Sequence, residues 1–362
     1  MDFALGETQE AVAQAAARVL AQPRPPGDPA PAQQGGFDRA LWRGLAQAGL
    51  LGLGVPGWLG GEGLGVLDTA VLLAEAGRAA AQVPALATLA MGVLPVARHG
   101  TPEQQRALLA GVARGDVVLT AAVREPSEPS PAVPAATVTA CAAPGDGHGT
   151  VSGVKVGVPY AAAATWILVP ASPGPAVAVI APSAPGVTLR RTPASSGAPE
   201  YTLRLDRAPV AHVLGAAAVA DLYQLTAAGA CCVGDGALAA ALALTTAHVA
   251  SRQQFGRPLA TFQAVAQQIA DVAITSRTLH LAALSACWRL DTGRDAGGDA
   301  GVAAYWLAEE GPGALRACHH LHGGTGMDIR YPLHRYSALV RDLVRLLGGA
   351  DHRLDLLGAG TG

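Results

Sequence analysis

The sequence predicts an α+β chain in three parts: a helical domain over 1–118, a middle β domain (barrel or sandwich) over 119–212 and a helical bundle over 213–362. Three observations predict it. Ala-rich segments with apolar residues at helical spacing fill both ends, and Ala is the strongest helix former. Residues 119–212 instead gather Val, Thr, Pro and Gly in short alternating runs, the pattern of half-buried strands. Half of the 362 residues are apolar and only 14% are charged, enough to bury a large shared core and too apolar for long disordered segments.

The elements follow in order. Thr8 to Leu20 reads as a first helix, ended by the Pro-rich run 23–31. Phe37 to Ala48 is a second, with Leu41, Leu45 and Ala48 on one face, and the glycine-rich stretch 54–63 is a loop. Leu67 to Ala81 and Pro84 to Arg98 are further apolar helices. Thr101 as N-cap, Pro102 at the first helical position and Gln104 two residues later form a start signal for another. In the middle region the runs Val151–Val158, Thr165–Val169, Ala176–Ile180, Gly186–Arg190 and Glu200–Leu205 predict a compact antiparallel unit. Beyond it, Ala216 to about Gln254 is one long helix and Phe262 to Leu290 a second. Gly301–Glu310, Pro312–Leu321 and Pro332–Leu347 are three more, and a short final helix spans 352–357.

Composition excludes several functions. A net charge of -2 leaves no nucleic-acid footprint. The most apolar stretch, 225–250, is interrupted by Asp235 and His248, so a buried helix is expected and not a membrane span. The five cysteines (Cys141, Cys231, Cys232, Cys287 and Cys318) are odd in number and lack CxxC spacing. The start Met1-Asp2-Phe3 has no basic n-region. A reducing cytoplasm is the expected location. His319, His320 and His322 lie at i, i+1 and i+3 of a helix, a spacing that does not converge three rings on one metal ion.

Two motifs carry the chemistry. The first is Ser251-Arg252-Gln253-Gln254-Phe255-Gly256-Arg257-Pro258-Leu259, with Phe262-Gln263 behind it. A lone arginine at a helix end serves the helix dipole, but a planar guanidinium also suits phosphate oxygens. The second is His322-Gly323-Gly324-Thr325-Gly326. Glycines there serve a helix C-cap or let the backbone approach a ligand closely.

Together these strings resemble the flavin-contacting elements of the acyl-CoA dehydrogenase family. The resemblance covers nearly the whole chain, including Phe37 to Gly63 and Pro209 to Gly215. It implies the three-part fold above, FAD as cofactor, an acyl-CoA substrate and an electron-transfer flavoprotein as electron acceptor. By position, Arg252, Phe255 and Gln263 inherit contacts to the flavin pyrophosphate, usually that of a neighbouring subunit. His320, Gly323, Gly324 and Gly326 fall near the adenine half. Trp166-Ile167 resembles the family's Trp-Ile strand at the flavin, although Trp166 also reads as a packing anchor. Ala121 to Pro126 resembles its Thr-Glu-Pro segment, except that Arg124 stands where the family commonly has Thr.

The family's catalytic glutamate is missing. Removing a Cα proton while hydride leaves Cβ requires a positioned base. At the usual loop position after the last long helix the chain has Gly348; at the alternative position, 26 residues before Arg252, it has Thr226. Asp351 is the nearest substitute, and it also reads as the N-cap of the final helix. Some actinobacterial acyl-CoA dehydrogenases of steroid side-chain breakdown are similar: they are α2β2 tetramers in which one chain type carries the base and the other supplies Arg and Gly-rich contacts. The resemblance therefore implies a subunit acting with a second acyl-CoA dehydrogenase-like chain on a steroid (cholesterol-type) side-chain CoA. A self-sufficient homotetramer using Asp351, and a non-catalytic scaffold, remain the alternatives.

Overall fold

The computed structural model describes residues 3–22, 36–126, 128–139 and 149–359; the Pro-rich run 23–31 and Cys141 lie outside them. The first helices are α1 (Glu7–Leu20), α2 (Arg39–Gln47) and α3 (Val66–Arg78). A π-helical stretch, Leu86–Val93, then runs into α4 (Leu94–His99), and α5 (Pro102–Leu109) follows. The start signal at Thr101 works as read: its hydroxyl accepts from Gln104 N at 3.3 Å, and the Gln104 side chain accepts from Thr101 N at 2.9 Å. The expected single helix over Pro84–Arg98 is corrected by the π segment. Thr88 lies within it and donates its hydroxyl to Leu119 O, outside the helix.

Eight strands form two four-stranded sheets. One has the order β1 (Leu119–Ala121), β4 (Trp166–Ala171), β5 (Ala176–Ile180), β8 (His212–Leu214). The other runs β2 (Thr137–Thr139), β3 (Thr150–Pro159), β7 (Glu200–Pro209), β6 (Val187–Thr192). The expectation of a purely antiparallel unit is corrected, because β1 pairs with β4 in parallel. Strands β1, β2 and β8 are three residues each, too short to show alternation in the sequence.

Helix α6 (Ala217–Ser251) is the axis of the C-terminal bundle, and nearly every residue from Ala218 to Leu238 is buried. It is the helix among the described residues long and apolar enough to cross a membrane, yet 72% of its most apolar window is covered by protein. Small residues permit this. A Cβ on Gly236 would collide with the α3 backbone at Ala74, and one on Gly77 with the α6 backbone at Val233, so the two helices cross at glycine contacts. Around α6 stand α7 (Gln263–Asp291), α8 (Gly297–His322), α9 (Leu333–Leu347) and α10 (Ala350–Ala359). The two helices expected over Gly301–Glu310 and Pro312–Leu321 are one, α8, which passes through Pro312. Burial of its face on both sides of Pro312, from Ala300 to Leu321, outweighs the lost backbone hydrogen bond.

Carboxylates join the three regions, Asp221 and Asp342 from buried positions. Asp221 on α6 takes Arg98 Nε at 2.7 Å and pairs with His99 at 2.8 Å. Asp291, at the end of α7, accepts from Val66 N at 2.6 Å and so caps α3. Asp342 on α9 accepts from the backbone of Ser195 and Ser196 at 2.8 Å each, and Arg345 bridges it to Glu200.

Candidate functional site

Helix α6 ends at Arg252, whose backbone is extended while its N–H still donates to His248 O at 2.8 Å. The chain turns at once into a two-stranded hairpin, β9 (Gln253–Gln254) against β10 (Arg257–Pro258). Its two turn residues, Phe255 and Gly256, have φ of +53° and +77°. Positive φ at both centres gives the turn whose twist matches a tight hairpin. Gly adopts it freely, whereas a bulky side chain there is strained. Phe255 is nonetheless 91% exposed, so burial does not offset that strain within this chain. Its ring stands edge-on to Phe262, over which the Arg257 guanidinium sits at 4.0 Å. Gln263 opens α7 and is exposed. Arg252, Phe255 and Gln263 thus surround one short hairpin.

The second motif begins where α8 ends. Gly323 (φ +55°, ψ −136°) adopts a conformation open essentially to glycine alone, and a single-turn helix, Gly323–Met327, follows. Two histidines hold this turn from inside. His319 Nδ1 donates to Gly326 O at 3.0 Å, and its Nε2 accepts from the Ser337 hydroxyl at 2.7 Å. His322 Nδ1 donates to Cys318 O at 2.8 Å, and its Nε2 accepts from the Tyr331 hydroxyl at 2.9 Å. A carbonyl partner on Nδ1 requires each ring to carry a proton there, and the hydroxyl on Nε2 completes the pair. His320, by contrast, faces solvent.

The two motifs meet through His248. One turn before Arg252 on α6, its ring stacks on His322 with centroids 4.4 Å apart and planes 24° from parallel. Burial pushes both imidazoles below their ordinary value; Arg252 adds to this at His248, and the neighbouring histidines add to it at His322. The sequence reading missed His248, His319 and Tyr331. The only signal was His248 at i−4 from Arg252, which becomes informative once α8 is known to end beside it.

This surface fits the pyrophosphate and adenine half of a dinucleotide. The Arg252 guanidinium is exposed and carries no ion pair among the described residues. Gly323 and Gly324 are exposed, with open space where a Cβ would stand, so a ligand can reach their backbone; Gly326 is packed beneath against His319 and His322. Bidentate guanidinium contact and close backbone approach are what phosphate groups require.

The half that would face a flavin ring is built differently. Trp166 lies on β4, with its ring edge-on to His212. Glu125 is committed to structure: it takes the buried Lys155, the only lysine in the chain, at 2.6 Å and the N–H groups of Ala135 and Ala136 at 2.8 and 3.1 Å. Arg124 reaches Gly157, where a Cβ would lie 2.7 Å from its Nη1, and its Nε is buried without a partner. Burial and the nearby Arg345 depress its pKa.

Neither position at which the resemblance places the base holds a carboxylate. Gly348 (φ +90°) closes α9: its N–H donates to Arg345 O, and that of Gly349 to Val344 O, as in a Schellman cap. A Cβ at 348 would lie 2.6 Å from both Pro129 and His352. Thr226 is buried and its hydroxyl donates back to Leu222 O at 2.7 Å. Asp351 is not an N-cap, because α10 starts one residue earlier, at Ala350; it sits exposed in the first turn, where the helix dipole favours it.

Residues 6–116 match the acyl-CoA dehydrogenase N-terminal domain and residues 215–354 the acyl-CoA dehydrogenase C-terminal domain. The chain belongs to the acyl-CoA dehydrogenase family, flavin oxidoreductases acting on CH–CH bonds, and its cofactor is FAD. It is 48% identical to acyl-CoA dehydrogenase FadE28 of Mycobacterium tuberculosis, over 88% of this chain and 91% of that one. It is 33% identical to FadE27 of the same organism, over 89% and 88%. Among solved structures it resembles the steroid ACAD Tcur3481-Tcur3483, with a TM-score of 0.89, 34% identity and 98% of each chain covered. It also resembles the ChsE4-ChsE5 complex from Mycobacterium tuberculosis, with a TM-score of 0.88, 29% identity and 99% and 98% covered.

Proposed function

We propose that this chain is the FAD-clamping, base-lacking subunit of a heterotetrameric acyl-CoA dehydrogenase whose partner supplies the catalytic base. The observation that carries the reading is the contrast between its two half-sites. The Arg252 hairpin and the glycine turn are intact and open to an external ligand, while Gly348 is a sterically closed helix cap. When bound, FAD supplies the acceptor for the hydride leaving Cβ. The residues of this chain bind and orient it. Arg252 would neutralise pyrophosphate charge, Gln263 would offer an amide, and the 323–326 backbone would approach the adenosine side. Proton removal from Cα falls to a residue outside this chain.

An apolar surface beside the motifs supports a partner. Phe255 in the first motif, and Met327 and Ile329 just after the second, are 91%, 81% and 75% exposed, large apolar side chains that a partner would cover. The two similar structures are named for pairs of chains, one of them a steroid ACAD, which supports a steroid side-chain CoA as the substrate class. Electrons then pass to an electron-transfer flavoprotein, as the family implies. The described cysteines are free, which fits the cytoplasm. No observation favours Asp351 as a base, since it is exposed on the first turn of α10.

Co-expression with a second acyl-CoA dehydrogenase-like chain tests this. The expected result is a mixed tetramer with one FAD per pair of unlike chains and no dehydrogenation by this chain alone. A homotetramer with one FAD per chain and full turnover would overturn it.

A further inference from the structure

A cavity of about 160 Å³ lies between α6, α8 and α10, distinct from the hairpin and glycine turn. Arg353, Tyr223 and Ser130 supply its polar wall, and Ala227, Ala300 and Leu357 line its apolar side. Arg353 is only 8% exposed. Its Nε donates to Leu347 O at 2.6 Å and its Nη2 to Ser130 Oγ at 3.5 Å; neither acceptor is charged, and no carboxylate pairs with it among the described residues. A buried cation without a counter-ion is unfavourable, so a ligand that brings one is favoured. The Tyr223 hydroxyl is buried at the same cavity with no hydrogen-bond partner among the described residues. Burial raises its pKa, so it keeps a proton to donate. Gly297, the first residue of α8, also lines the wall; its N–H is already donated to Asp295 Oδ1 at 3.0 Å, so Arg353 and Tyr223 are the groups that face a ligand. Of the acids whose charge reaches Tyr223, Glu125 is tied to Lys155 and Glu128 is exposed.

The cavity adjoins both positions from which the base is missing. Ala227 follows Thr226, and Arg353 is anchored on Leu347, which precedes Gly348.

We propose that this cavity binds a small carboxylate with a short apolar tail. A cavity of this size holds roughly six heavy atoms, the size of butyrate. Its apolar wall disfavours a hydrated inorganic anion. The inference goes beyond the shared-FAD reading and does not depend on it.

Calorimetric titration of the purified protein, in whatever oligomer it forms, with butyrate, acetate and inorganic phosphate tests it. Saturable butyrate binding is expected, with acetate several-fold weaker and no heat from phosphate. Arg353→Met should abolish the butyrate signal with FAD content unchanged. Tyr223→Phe removes only an unpartnered hydroxyl and keeps the fold; it should weaken butyrate several-fold. Absence of butyrate binding to the wild type would overturn the proposal. So would a signal surviving both substitutions, or phosphate binding as tightly as butyrate, which marks an adventitious ion only.

Discussion

His248 does what neither motif does alone. Its ring lies against His322, so the end of α6 and the glycine turn share one wall. Both imidazoles are held neutral, below the ordinary value of 6.5. A histidine whose folded pKa is depressed stabilises the fold fully above about 6.5, and that contribution is lost as pH falls through the folded value. The denaturation midpoint of the protein should therefore decline with acidification below about 6.5 and be flat just above it. His212 and His352, also depressed, contribute in the same direction. His248→Leu keeps an apolar group against His322 but removes one titrating ring, so the acid slope should shrink. An unchanged slope would remove the stack from the account.

At the scale of elements, the cap at Gly348 leaves no room for a side chain without rearrangement. A side chain there must accept φ +90° and displace both Pro129 and His352. Gly348→Glu is expected to cost about 2–3 kcal/mol in denaturant stability and to give no activity in this chain alone. Gain of homomeric turnover would show that only the carboxylate was lacking. Much of this was legible beforehand. The capping residues Thr101 and Gln104 started α5 as read, and the long apolar run of α6 gave a buried helix. The string that singled out Arg252, Phe255 and Gln263 folds into one hairpin and the start of α7. What stayed illegible depended on distant partners. Pro312 looked like a helix boundary because its tolerance depends on what α8 packs against. Strands of three residues carry no period, and the roles of His319 and Tyr331 depend on hydrogen bonds closed across the turn.

At the scale of the whole molecule, a well-tied scaffold carries no carboxylate at either position where the resemblance places the base. Asp221, Asp291 and Asp342 lock the helical and β regions together, so the missing base does not reflect a degraded fold. Exposed Phe255, Met327 and Ile329 surround the motifs that face outward. Such a surface makes sense when the ligand it contacts is shared with another chain. The most direct measurement is the FAD dissociation constant of the two-chain complex with and without Arg252→Ala in this chain. Loss of one charge-assisted contact, about 1.5–3 kcal/mol, predicts roughly 10–100-fold weaker binding. Unchanged FAD affinity would contradict the account and leave this chain as a scaffold that never touches the flavin.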